Sequence, residues 1–151
     1  NIGVKTVSRY LDLLEKSFVV TKVSGFSRNL RKEVTKTSRY YFYDNGVRNA
    51  VIGNFNFLNS RDDIGMLWEN FLFSERLKKR TYHELYANHY FWRTWNQQEI
   101  DLIEERDGKL FGYECTWQVK RKSTPPSDWA KAYPQAHYLV INRDNYLPFI
   151  T

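Results

Sequence analysis

A chain of 151 residues with 42% hydrophobic and 17% aromatic residues carries enough apolar surface to bury a core, which excludes a disordered polypeptide. No apolar run approaches the roughly 20 residues a membrane-spanning helix needs, and no charged-then-apolar leader opens the chain. The single cysteine, Cys115, excludes an internal disulfide and a cysteine metal cage, so a soluble cytoplasmic setting is expected.

The net charge of +6 is uneven: residues 1–50 hold ten Lys/Arg against four Asp/Glu, and residues 51–151 hold thirteen of each. The basic segment suits a phosphate backbone; a solvated basic face accounts for it as well. The chain starts at Asn1 and its only methionine is Met66, so it reads as a fragment or processed product of a longer protein.

In chain order, Val4, Val7, Leu11, Leu14 and Phe18 recur at helical spacing, which predicts an amphipathic helix over 4–18. Phe18–Val23 is β-prone and Ser24-Gly25 breaks it. A basic loop with Arg28, Arg31, Lys32 and Lys36 follows, and Tyr40–Tyr43 is the returning strand. Helix, strand, long basic loop, strand is the order of a partial winged helix, expected over residues 1–53. Asp44 is a good N-cap for a short helix near Gly46–Ile52, ended by Gly53-Asn54. Residues 54–61 read as a loop and a boundary, and residues 62–151 as a second domain. Its helix runs from Asp62 or Asp63 to about Arg80, with Ile64, Leu67, Trp68, Phe71 and Leu72 on one face. Strands are expected at Tyr90–Arg93, Gln98–Glu104 and Leu110–Trp117, the last two joined by a hairpin at Asp107-Gly108. Ser127 can cap a short helix that Pro134 closes, and His137–Asn142 is a buried strand. The fold class is α+β with a mixed sheet and flanking helices.

The chemistry of interest lies in the hairpin. Asp101 and Glu114 sit on adjacent strands, where two carboxylates can share a hard cation such as Mg²⁺, with the Cys115 carbonyl as a third oxygen. Thr116 follows Glu114 at the alternate position, where a metal-dependent nuclease wants a lysine to steady the attacking water. Lys120 and Lys122 are the nearest substitutes. Any metal held by Asp101 and Glu114 is expected to bind weakly and stay largely hydrated. Paired acids of this kind are also a common solvated face. His83, His89 and His137 are scattered and read as structural. The five tryptophans suit packing better than base stacking, and Cys115 reads as inert core.

Several blocks together resemble a large bacterial family: Val7–Glu15, Tyr41–Gly46, Gly65–Phe71, Tyr90–Arg93, Glu99–Ile103 and Tyr113-Glu114-Cys115, in this order across nearly the whole chain. Its members pair an N-terminal AAA-type ATPase with a C-terminal domain of unknown function that is grouped with PD-(D/E)XK nuclease-like folds. The resemblance implies a PD-(D/E)XK restriction-endonuclease-like sheet after the winged-helix segment, with Glu69, Asp101 and Glu114 at the acidic positions. Thr116 departs from the usual Glu-x-Lys and implies a vestigial site. The resemblance also implies that the missing N-terminal ATPase region is a partner and carries the ATP, because this chain has no P-loop.

The expected function is therefore an accessory region of a larger ATPase that binds nucleic acid or a protein partner through a degenerate nuclease-like site. An active metal-dependent nuclease and a purely structural interaction module are the alternatives. DNA contact is expected through Lys5, Ser8 and Arg9 on the first helix and through Arg28, Arg31, Lys32 and Lys36 in the loop, the helix entering the groove and the loop touching phosphates.

Overall fold

The computed structural model describes residues 2–28, 33–34, 37–119 and 124–151. Arg31, Lys32, Lys36, Lys120 and Lys122 lie outside these residues. The elements are α1 (Val4–Lys16), β1 (Val20–Gly25), β2 (Ser38–Phe42), α2 (Asn45–Ile52), α3 (Ile64–Tyr82), β3 (Asn88–Arg93), β4 (Glu99–Arg106), β5 (Lys109–Cys115), α4 (Ser127–Ala132), β6 (His137–Ile141) and α5 (Leu147–Ile150). The fold is α+β, with one six-stranded mixed sheet in the order β2-β1-β3-β4-β5-β6.

The expected helix and the two strands at the start of the chain are present, and β1 pairs antiparallel with β2. The two strands do not stand apart, however. β1 also pairs parallel with β3, Ser24 opposite Tyr90 and Gly25 opposite Phe91, so the sheet runs across the expected boundary at 54–61. That connection is itself fastened. Arg61 Nε and Nη2 donate to the two carboxylate oxygens of Asp63, both at 2.8 Å, and Arg61 Nη1 donates to the Asn54 carbonyl. Arg48 of α2 reaches the same carboxylate. Asp63 precedes α3 as expected, but its side chain is spent on these arginines and does not cap the helix.

The hairpin forms as the Asp-Gly pair predicts: β4 and β5 pair antiparallel, and Asp107 and Gly108 take φ of 51° and 70°. Two left-handed residues in a row match the right-handed twist of the strands, which is why this dipeptide suits a two-residue turn. At α2 the Asp44 carboxylate accepts from Val47 N–H and Gly53 ends the helix left-handed, as expected. Ser127 differs from expectation. It is the first residue of α4, and the helix is capped from outside, by Gln98 Oε1 accepting from Asp128 N–H. The short helix α5 carries no distinct periodicity and was not foreseen.

The sheet has an apolar core on each face. On one, Trp68, Leu72 and Phe73 of α3 and Phe149 of α5 pack over Val23, Tyr41, Phe91, Leu102 and Tyr113. On the other, Trp129 and Tyr133 around α4 cover Phe26, Trp92, Ile100, Ile103 and Leu110. The first face also buries charge. Arg76 of α3 donates from Nε and Nη2 to the two oxygens of Glu104, both at 2.8 Å, and from Nη1 to the Phe149 carbonyl. Burial works against the charge on Glu104, but Arg76, Arg80 and Arg106 more than offset it and its carboxyl titrates below the ordinary range. No helix among the described residues is long and apolar enough to cross a membrane.

Candidate functional site

The site grows from the Trp68-Glu69-Asn70-Phe71 stretch of α3, whose successive side chains serve different partners. Trp68 enters the core. Asn70 turns to the edge strand: its Oδ1 accepts from Phe42 N–H at 2.8 Å and its Nδ2 donates to Phe42 C=O at 2.9 Å. A single side chain thus does for β2 what a neighbouring strand would do, since an edge strand otherwise leaves such groups unpaired. Glu69 points at the sheet.

There it meets Asp101 through an arginine. Arg39 Nη1 lies 3.2 Å from Glu69 Oε1 and 3.3 Å from Asp101 Oδ1, and Arg39 Nη2 lies 2.8 Å from Glu99 Oε2. Tyr41 donates its hydroxyl to Glu69 at 2.6 Å, and Cys115 donates its backbone N–H to Asp101 Oδ2 at 2.8 Å. Arg39 and Tyr41 are two apart on β2 and share a face. Arg39 also lies over the Phe91 ring at 4.9 Å, and Tyr41 stacks on Phe73.

Three carboxylates around one guanidinium leave more negative than positive charge in a half-buried place. Burial, and then the charge of Asp101, push Glu69 up to about 7 despite Tyr41 and Arg39. Asp101 is also raised, first by burial, with the Cys115 amide and Arg39 pulling the other way. For Arg39 burial opposes the charge, yet Tyr41, Glu69 and Asp101 hold its proton above even the usual arginine range. Burial pushes the Cys115 thiol well up, which keeps it protonated and unreactive.

Glu114 does not join this group, and the reason is a register shift. Tyr90 pairs with Ile103 while Trp92 pairs with Ile100, so β4 carries one extra residue in the interval that holds Asp101 and Leu102. Both Asp101 and Leu102 thereby serve the α3 side. β5 keeps strict alternation. Phe111, Tyr113 and Cys115 join the α3-side core, and Gly112 faces Ile100 and Ile103 on the other, where a Cβ would lie 3.4 Å from Ile100. Glu114 follows Gly112, on the face away from α3, and Thr116 follows Glu114. Asp101 and Glu114, expected to share a metal, thus face opposite ways. Among the described residues no group of three or more His, Cys, Asp or Glu is placed to hold a metal ion.

The expected nucleic-acid contacts divide. Lys5, Ser8 and Arg9 are exposed on α1. Arg28 pairs with Glu105 at 2.5 Å, so part of its charge is spent within the chain. Between these basic positions the loop is pinned by Glu33, which is buried and accepts from Trp92 Nε1 at 2.8 Å and Tyr133 Oη at 2.5 Å. Val34 N–H donates to the Arg93 carbonyl beside it.

Residues 64–150 match the family model "Domain of unknown function (DUF4143)", and residues 1–57 match "Domain of unknown function (DUF8612)". The chain belongs to the DUF4143 family. The two matches meet near the boundary expected from the sequence, although the sheet crosses it. The chain is 28% identical over 127 residues to the uncharacterized protein Mb2031c of Mycobacterium bovis and to the uncharacterized protein Rv2008c of Mycobacterium tuberculosis. These matches cover 83% of this chain but 27% of either relative, so the chain spans about a quarter of the proteins it resembles. No solved structure matches it.

The DUF4143 match contains Glu69, Glu99 and Asp101, whereas Arg39 and Tyr41 come from the DUF8612 match. Sequence reasoning missed those two. The signal was present, since Arg39 and Tyr41 alternate on one strand, but that strand was read as starting at Tyr40 and left Arg39 out.

Proposed function

We propose that this chain is the C-terminal accessory region of a larger AAA-type ATPase, and that its nuclease-like site is degenerate and serves binding, not cleavage. The observation that carries this reading is Arg39 between Glu69 and Asp101. A fixed guanidinium stands where a metal-dependent site would admit a cation, and it leaves no oxygen cage for Mg²⁺. Thr116 in place of lysine supports the same reading. Support for the larger protein comes from DUF4143, a domain commonly found in AAA-ATPase-associated proteins, and from relatives about four times as long as the matched segment. ATP belongs to that N-terminal ATPase region.

Between nucleic acid and protein as the bound partner, α1 favours protein. Its apolar positions Val4, Val7, Tyr10 and Leu13 are exposed, and the helix buries no residue. A strongly amphipathic helix with its apolar stripe open is suited to docking on another protein surface. The ATPase region of the same polypeptide is the occupant we assign to it. Arg28, already paired with Glu105, weakens the case for the basic loop as a phosphate contact.

The test combines cleavage and binding. Incubated with plasmid and linear DNA and Mg²⁺ or Mn²⁺, the protein should leave both intact. Metal-dependent cleavage that disappears in Glu69→Ala or Asp101→Ala would overturn the degenerate site. A low-salt titration of duplex DNA against the protein and against a variant with Arg28, Arg31, Lys32 and Lys36 changed to Ala addresses the loop. Equal affinity and salt slope are expected. A clear loss in the variant returns DNA to the front.

A further inference from the structure

Beside α3 lies an open pocket of about 390 Å³, separate from the Glu69–Asp101 cluster. Its walls are contributed by elements distant in sequence, among them Leu58, Ile64, Trp68, Trp117, Tyr146 and Arg143. We propose that this pocket binds a flat aromatic group that carries a carboxylate, either a free aromatic acid or the aromatic C-terminal residue of a peptide.

The aromatic part follows from the walls. Trp117 and Tyr146 each stand edge-on to Trp68, with ring centroids 5.2 Å away and interplanar angles of 77° and 71°. These rings pack directly on one another, and where they line the pocket they offer an inserted ring the same aromatic contacts. The volume falls in the range of small-ligand sites, roughly 300–1,000 Å³. Trp68 is buried, and its Nε1–H has no hydrogen-bond partner among the described residues. The Trp68 ring lines the pocket, so its indole N–H signal reports on occupancy.

The carboxylate follows from Arg143. Arg143 is exposed, makes no ion pair among the described residues, and lies 6.0 Å from the centre of the Trp117 ring, at the pocket. An arginine that rests on an aromatic wall keeps its fork of N–H donors for a planar anion. The surroundings add apolar area: Val51, Ile52, Phe55, Phe57 and Met66 are all exposed on the neighbouring α2, connection and α3.

The experiment is a titration of the ¹⁵N-labelled protein, read at the Trp68 indole N–H. The probes are 1-naphthaleneacetate and its uncharged amide, and an acetylated tripeptide that ends in tryptophan, with a free or an amidated terminus. Each acid should shift the Trp68 signal and bind about tenfold more tightly than its amide, as expected for a charge-assisted hydrogen bond. Arg143→Gln should remove that selectivity and leave the amide unchanged, while Lys109→Gln, on the remote hairpin, should alter neither. Trp117→Leu should weaken acid and amide alike. Tighter binding of the peptide than of the naphthyl acid assigns the site to a peptide end, and the reverse assigns it to a free acid. The proposal is overturned by equal affinity for acid and amide, by selectivity that survives Arg143→Gln, or by a Trp68 signal that no probe moves.

Discussion

Glu69 is where one residue carries the most consequence. In the unfolded chain its carboxyl titrates near the ordinary ~4.3, and in the fold at about 7. Folding therefore takes up a proton between those values. The contribution is fully present below the lower value and is lost as pH rises through the upper one, on the order of 1–3 kcal/mol with a quarter of the side chain exposed. Asp101, also raised, acts in the same direction. Glu69→Gln keeps the Tyr41 contact and removes the titration. Urea unfolding from pH 4 to pH 8 should give a smaller fall for the variant, and parallel curves would refute the assignment. Arg39 has the opposite role. Arg39→Ala leaves Glu69 and Asp101 facing each other without a cation and should cost about 3 kcal/mol. Mn²⁺ should raise the melting temperature of that variant and not of the wild type. A metal effect of equal size in both would show that Arg39 does not occupy the cation's place.

At the scale of elements, α3 is held by polar side chains as much as by its apolar face. The Arg76–Glu104 pair is buried and bidentate, so Glu104→Gln strands a guanidinium and should cost roughly 3–5 kcal/mol. A loss below about 1 kcal/mol in the urea midpoint would contradict this. Asn70→Ala orphans both backbone groups of Phe42 and should cost about 2 kcal/mol, with faster amide exchange confined to β2. These devices explain what was legible. Ile64, Leu72 and the Asp-Gly turn announce a helix and a hairpin by local rules that tertiary context did not override. The role of Glu104 had no local signal, because its partner is 28 positions away. The extra residue in β4 carries no local signature, and it alone separates Asp101 from Glu114. Glu33 was hidden in the same way: an acid in a basic run reads as solvated until two aromatic donors close on it. The acidic cluster was thus half readable. Of its carboxylates, Asp101 followed from the hairpin and Glu69 from the resemblance, and its cation followed from neither.

For the whole molecule, the decisive feature is that β1 lies between β2 and β3. Residues near 24 are paired with residues near 90, so the sheet closes a long loop that contains β2, α2 and all of α3. Closure of such a loop sacrifices chain entropy before its contacts form, and non-local pairing slows folding. On the ribosome, the first two strands emerge as a ribbon with one flank open until β3 is made, and a two-stranded ribbon alone is marginal in water. A segment of residues 1–53 expressed by itself should therefore give weak circular dichroism and rapid proteolysis, and added residues 62–151 should restore protection. A protected, cooperatively melting 1–53 segment would disprove that dependence. Synthesis order thus leaves the ribbon's strand edge exposed from Phe42 until β3 begins at Asn88. That interval is a demand on chaperones, set by topology alone.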